Sequence, residues 1–131
     1  MRMADQAKKR VMVVDDAALV RLYYRDTLEH AGFHVDEALN GLEALEKLLA
    51  EPVSLLIVDV NMPQMDGFTF VEAVRRQQMP LAATPALITS TEGAPQDFAA
   101  ARAAGANFYL VKPVTREKLL EVTVMLCGTA V

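Results

Sequence analysis

Tryptophan is absent from the chain and cysteine occurs once. A lone thiol excludes an internal disulfide framework, and Cys127 reads as a small apolar residue of the last helix. No apolar run approaches the roughly 18 residues of a membrane span. The basic residues within Met1–Arg10 are not followed by an apolar signal core, so neither export nor a membrane anchor is expected and the location reads as cytoplasmic. Positive charge is not in excess: 13 Lys and Arg face 17 Asp and Glu, a net charge of −4, which argues against DNA or RNA as the direct ligand. There is no internal repeat and no low-complexity stretch.

What the chain does have is apolar residues, 53% of 131, arranged in short blocks. A chain of this length forms one domain and buries roughly two thirds of its unfolded surface, enough for a core without metal or disulfide. Val11-Met12-Val13-Val14 runs into Asp15-Asp16. Leu55-Leu56-Ile57-Val58 runs into Asp59, Ala86-Leu87-Ile88 into Thr89, and Phe108-Tyr109-Leu110-Val111 into Lys112-Pro113. Phe33–Ala38 is a shorter strand. Helices are expected between them: Ala17–Ala31, with Leu19, Leu22, Tyr23 and Leu28 roughly at helical spacing; a second after Asn40-Gly41, with Leu42, Leu45, Leu48 and Leu49 on one face; and a third through Phe70, Val71 and Val74. Asp97–Ala104 makes an Ala-rich fourth, and Arg116–Cys127 a fifth capped by Thr115. Five continuous apolar strands alternating with helices imply an α/β fold, a doubly wound parallel sheet covered on both faces. Right-handed crossovers favour the strand order 2-1-3-4-5, a flavodoxin-like three-layer architecture.

In a parallel sheet, the polar residues that end these blocks collect on the carboxyl edge, where such folds bind ligands. Asp15, Asp16, Asp59, Thr89 and Lys112 therefore form one predicted site. Its carboxylates repel one another and draw in a cation; hard oxygen ligands in an open site suit Mg²⁺. Metal, ammonium and hydroxyl together match the oxygens of a phosphoryl group, and a carboxylate can act as its nucleophile. Asp59, on the central strand, is the choice.

With these residues in place, the chain resembles the receiver domains of bacterial response regulators, especially the single-domain chemotaxis-type (CheY-like) members. The resemblance rests on Asp15-Asp16, on Asp59 with Met62-Pro63 and Met65-Asp66-Gly67, on Thr89, and on Lys112-Pro113. It implies a receiver over residues 10–127, between a frayed segment 1–9 and a short tail 128–131. It implies Asp59 as phosphoacceptor, and a metal site of Asp15, Asp16, Asp59 and the backbone carbonyl of Asn61. Thr89 and Lys112 would contact the phosphoryl group, Thr89 and Tyr109 would form the switch, and the Lys112-Pro113 peptide would be cis. Val114 stands where Phe often follows Lys-Pro, and Thr91 where several members carry an acid or amide.

The resemblance further implies partners: a histidine kinase or histidine phosphotransfer protein as donor, and a downstream protein bound through the face 97–104/108–111/116–127. A flagellar-motor switch protein is the chemotaxis-type target, and a phosphorelay shuttle is the alternative role. Since the chain ends at Val131, just past the fifth helix, output through a protein surface is expected, from a monomer or a phosphorylation-dependent dimer. The site would assist its own phosphorylation and dephosphorylation rather than act as an enzyme on other substrates. A Mg²⁺-dependent aspartyl-phosphate phosphohydrolase is the competing reading. It calls for Asp-x-Asp at the nucleophile, whereas Asp59 is followed by Val60-Asn61. A flavodoxin-like electron carrier is disfavoured because Asp15-Asp16 would repel the phosphate of its cofactor.

Overall fold

A computed structural model describes residues 8–131, so most of the segment expected to be frayed lies outside the described residues. The chain alternates strand and helix five times. The strands are β1 (Arg10–Val14), β2 (His34–Ala38), β3 (Leu55–Asp59), β4 (Ala86–Ser90) and β5 (Phe108–Val111). The helices are α1 (Ala18–His30), α2 (Gly41–Ala50), α3 (Gly67–Arg75), α4 (Pro95–Ala104) and α5 (Arg116–Cys127). All four strand pairings are parallel, and the sheet order is β2-β1-β3-β4-β5, as the sequence predicts.

Side-chain alternation divides the core into two layers. Met12, Val14, Leu56, Val58, Ala86 and Ile88 face one way, against residues of α2, α3 and α4. Val11, Val13, Leu55, Ile57 and Leu87 face the other way, against α1 and α5. Continuing that second series to the strand ends brings Asp15, Asp59 and Thr89 onto the layer of α1 and α5. The position of the polar site thus follows from the same two-residue period that buries the core.

Local signals set the element ends. The Asn40 side chain accepts from Glu43 N–H at 2.9 Å, so Asn40 caps α2 and Gly41 is its first residue. Asp66 and Thr115 cap α3 and α5 in the same way. Gly32 and Gly105 follow α1 and α4 with φ of +99° and +104°, the left-handed region that favours glycine at helix ends. Helix α4 begins two residues earlier than expected, because Pro95 suits a first helical position and the Asp97 carboxylate accepts from Ala94 N–H at 3.0 Å. Between α3 and β4, Leu81–Ala83 forms a 3₁₀ turn after a cis Met79-Pro80 bond.

Two expected helix faces are corrected. Leu19 and Leu22 are 80% and 61% exposed, while Tyr24, Thr27 and Leu28 are buried and Val20 and Tyr23 pack beside them. The buried stripe is 20-24-27-28, spacing that holds one helical face; apolar character alone misassigned Leu19 and Leu22. In α2, Leu48 is buried and Leu45 packs against the core, but Leu42 and Leu49 are exposed and Ala44 takes the central place. Polar contacts then join α1 to α5: the Arg116 guanidinium donates to Thr27 Oγ1 at 2.6 Å and lies 4.8 Å from the Tyr23 ring centre. Past α5, the Lys9 N–H donates to the Ala130 carbonyl at 2.7 Å, and Ala130 is buried in the α1/α5 layer.

One close approach matters for the site. Gly67, the first residue of α3, lies against the end of β3: a Cβ there would collide with the Asp59 carbonyl oxygen and stand 3.0 Å from the Asp59 carbonyl carbon and Val60 Cα. These are backbone atoms of the central strand and cannot swing aside. Gly67→Ala is therefore expected to destabilise the protein by about 1–3 kcal/mol, the scale of overpacking a tight contact, and denaturant unfolding measures it. A stability within about 0.5 kcal/mol of the native protein, the scale of an ordinary surface change, would contradict this reading.

Candidate functional site

The carboxyl edge carries every polar residue that the sequence assigned to it. Asp59 and Thr89 are register partners across β3 and β4, and the Val60 N–H donates to the Thr89 carbonyl at 3.1 Å just beyond them. Asp15 follows β1, fixed by its N–H to the Ala38 carbonyl at 3.1 Å, and Lys112 follows β5, fixed by its N–H to the Ser90 carbonyl at 2.7 Å. The sheet ladder thus continues one residue past the strands and sets where these side chains start.

Lys112 crosses the edge to reach the acids. Its ammonium lies 2.9 Å from Asp15 Oδ2 and 3.0 Å from Asp59 Oδ1. The second oxygen of Asp15 accepts from the Ala17 N–H at 2.9 Å, so that buried carboxylate is held at both ends. Asp59 is only 6% exposed, and Asp16, next to it in the cluster, is exposed. Carboxylate oxygens of Asp15, Asp16 and Asp59 all lie within 4.8 Å of one another. Three hard oxygen donors at that spacing, one of them facing solvent, can hold a divalent cation that retains water. Asn61, two residues after Asp59, is exposed beside them. The loop through it is anchored by Met62, which is buried, and turns at Gln64, where φ is +69°.

Burial pushes the Asp59 carboxyl above the usual aspartate range; Lys112 draws it back, and Asp15 and Asp16 push it further up. Burial works against the Lys112 ammonium, but its bonds to Asp15 and Asp59 outweigh this and raise its pKa. Thr89 is fully buried, and its Oγ1 has no hydrogen-bond partner among the described residues. Tyr109 is half-buried at the other layer. Its hydroxyl donates to the Glu92 carbonyl at 2.6 Å, and its ring meets Phe98 edge-on with centres 4.7 Å apart. The Lys112-Pro113 peptide is cis, as the resemblance implied. Thr91 is exposed at the mouth and Val114 is buried under it.

Sequence reasoning missed two residues. Arg21 donates to the Asp15 carbonyl at 2.6 Å and to Glu37 at 2.8 Å, tying the acid pair to β2. Tyr24, four residues before Leu28 and four after Val20, is buried in the α1/α5 layer and lines a cavity of about 440 Å³ with Lys112, Pro113 and Val114. Its place on the 20-24-28 stripe was the available signal. His30 and His34 are exposed and take no part.

The electrostatics have a measurable consequence in metal-free protein. With the Asp59 pKa raised on folding, the native state binds that proton more tightly than the unfolded chain. Stability contributed by this group then falls as pH rises from about 3.9, the ordinary aspartate value, through the raised one, and above both the ionised carboxylate is a standing cost. Asp59→Asn removes the cost. In chelator at pH 7 the variant should melt a few degrees higher than the native protein, with the difference closing as pH falls to about 4. An unchanged or lower melting temperature at pH 7 would show that the Lys112 pairing dominates instead.

The fold and the edge cluster agree with comparisons to known proteins. Residues 11–123 match the family described as the response regulator receiver domain. The chain is 38% identical over 122 residues to chemotaxis protein CheY1 of Helicobacter pylori, covering 92% of this chain and 98% of that protein. It is 41% identical over 108 residues to a protein-glutamate methylesterase/protein-glutamine glutaminase of Archaeoglobus fulgidus, covering 79% of this chain but 30% of that protein. The structure of chemotaxis protein CheY4 of Vibrio cholerae superposes with a TM-score of 0.85 at 39% identity, covering 91% of this chain and 98% of that one. With three clustered carboxylates and a bridging lysine at the carboxyl edge of a 2-1-3-4-5 sheet, the chain belongs to the response regulator receiver family, in its CheY-like form.

Proposed function

We propose that the protein is a phosphorylation switch in which Asp59 takes a phosphoryl group from a phosphohistidine of a histidine kinase or histidine phosphotransfer protein. The observation that carries this reading is the position of Asp59: a nearly buried carboxylate at the end of the central strand, paired to Lys112 and within 4.8 Å of Asp15 and Asp16. A carboxylate oxygen of Asp59 attacks phosphorus, the P–N bond breaks, and the imidazole leaves with the bonding pair and takes a proton. Asp15, Asp16, Asp59 and the Asn61 carbonyl would hold Mg²⁺. When bound, that ion supplies charge neutralisation for the phosphoryl oxygens. Lys112 turns from Asp59 to one phosphoryl oxygen, and Thr89 donates to another. The lone pairing of Lys112 with Asp15 remains to hold its chain in place.

The same charge drives the output. A phosphoryl group brings about −1.5 to −2 charges and three strong acceptors. Thr89 moving toward it and Tyr109 exchanging its bond to Glu92 would together form the switch, across the pairing of β4 with β5. Tyr109 belongs to the edge strand β5, flanked by α4 and α5. On this face Phe108, Val111, Val124 and Met125 are exposed, with Met125 at 57%. Apolar side chains on one face support a protein partner there, in chemotaxis or a related pathway. The exposed Leu19 and Leu22 of α1 sit on the other side of the site mouth and favour contact with the phosphodonor.

Incubation with acetyl phosphate and Mg²⁺ should add one phosphoryl group per chain by intact mass, and none in Asp59→Asn. Full labelling of that variant, or sustained turnover of many phosphomonoesters without an adduct, would overturn the assignment in favour of another acceptor or of a phosphohydrolase. Asp16→Ala should weaken Mg²⁺ binding by roughly tenfold or more on the scale of ligand loss; titration with unchanged affinity would move the metal elsewhere.

A further inference from the structure

The three clustered acids are not held alike. Asp15 is buried, with its carboxylate fixed by Lys112 and the Ala17 N–H, and Asp59 ends the central strand and is paired to Lys112. Asp16 is exposed, so its place in the cluster depends on where its backbone starts. The peptide that precedes it carries the Asp15 carbonyl, which accepts from Arg21 Nη1 at 2.6 Å. A peptide unit is rigid and planar, so fixing that carbonyl fixes the direction in which the chain enters Asp16.

Arg21 is itself held. Its side chain is 12% exposed, and its Nε donates to Glu37 Oε1 at 2.8 Å. Glu37 lies on β2 as the register partner of Val13, and its other carboxylate oxygen accepts from Arg25 at 2.7 Å. Lys47 donates to the Glu37 carbonyl at 2.6 Å. The bonds to Arg25 and Arg21 hold the Glu37 carboxyl below the usual glutamate range, so it is ionised at neutral pH. One planar guanidinium, with donors in fixed directions, thus joins the sheet edge to the acid pair.

We propose that Arg21, anchored by Glu37, is a positioning residue of the metal centre: it fixes the Asp15-Asp16 peptide so that the Asp16 carboxylate is set beside Asp15 and Asp59 before a divalent cation arrives. The cation then binds without first ordering an exposed side chain, a step that would cost affinity. The sign of the effect separates positioning from charge. A guanidinium beside a cation site repels the cation, so by charge alone its removal would tighten binding. Positioning predicts the reverse. Glu37 both aims Arg21 and offsets its charge, which is what allows an arginine to stand next to a cation site.

The proposal rests on the reading of Asp15, Asp16 and Asp59 as a Mg²⁺ site, and the test separates the two. Mg²⁺ is titrated into the native protein, Asp16→Ala, Arg21→Met, Glu37→Gln and the double variant of Arg21 and Glu37. Amide chemical shifts of residues 15–17 report binding, and thermal melting of each metal-free form reports folding. Arg21→Met keeps an unbranched stem and removes the charge and the donors. It should bind Mg²⁺ roughly tenfold more weakly, the lower end of the scale for losing a group that supports metal ligands. Glu37→Gln should weaken binding roughly 2- to 10-fold, the range for one weakened hydrogen bond. The double variant should stay within about twofold of Arg21→Met, because Glu37 acts through Arg21. These ratios should persist in about 1 M salt, where the screening length is about 3 Å. Native or tighter binding by Arg21→Met, losses that vanish in high salt, or a full further loss in the double variant would overturn the positioning role. If Arg21→Met does not fold, Glu37→Gln carries the test: unchanged affinity, or a loss confined to low salt, overturns the role. A native protein that binds no Mg²⁺, or Asp16→Ala with native affinity, would instead overturn the metal reading.

Discussion

The ammonium of Lys112, set between Asp15 and Asp59, is the contact on which the site depends. Without it, three carboxylates within 4.8 Å of one another would meet in a largely buried position with no cation of their own. A charge removed from water is costly unless paired. Lysine suits this place better than arginine, since a compact ammonium on a flexible stem can leave one carboxylate for an incoming oxygen while keeping the other. The arrangement is stable enough to fold and unbalanced enough to accept a cation and an anion. Asp59, raised by burial and by its acidic neighbours, is the group whose electrostatics improve most when both arrive.

The rest of the fold serves to deliver these groups to one point. The four strand pairings fix the heights of Asp15, Asp59, Thr89 and Lys112, and backbone bonds beyond the strands, from Asp15, Val60 and Lys112, extend that order into the loops. Gly67 lets α3 start against the β3 end, and Arg21 holds the Asp15 carbonyl from α1. Arg75 performs a similar task at the opposite edge, donating to the carbonyls of Gly105, Ala82 and Thr84 and to Asn107 Oδ1. Among the described residues its hydrogen-bond partners are all neutral, and burial lowers its pKa.

Much of this was legible in the sequence, for physical reasons. A continuous apolar block that stops at a charge announces a buried strand with a functional tip. Four such blocks in one chain predicted both the sheet and the residues at its carboxyl edge, and Asp15, Asp59, Thr89 and Lys112 do converge there. Helix faces were less legible. Leu19 and Leu22 read as core by hydrophobicity but turn outward, because the sheet selects the 20-24-28 stripe and not every leucine within reach. Tyr24 stayed hidden because one tyrosine inside an apolar stripe looks like packing until the strand opposite it is known. Arg21 stayed hidden because its acceptor is a backbone carbonyl, which leaves no mark in the sequence.

The central claim is that these edge residues are one phosphoryl-accepting centre. A crystal structure of the protein with beryllofluoride and Mg²⁺ tests it most directly. The account predicts beryllium bonded to a carboxylate oxygen of Asp59, Mg²⁺ held among Asp16, Asp59 and the Asn61 carbonyl, and Lys112 and Thr89 each within hydrogen-bond distance of a fluoride. Beryllofluoride on another carboxylate, or a metal bound away from Asp16 and Asp59, would contradict it.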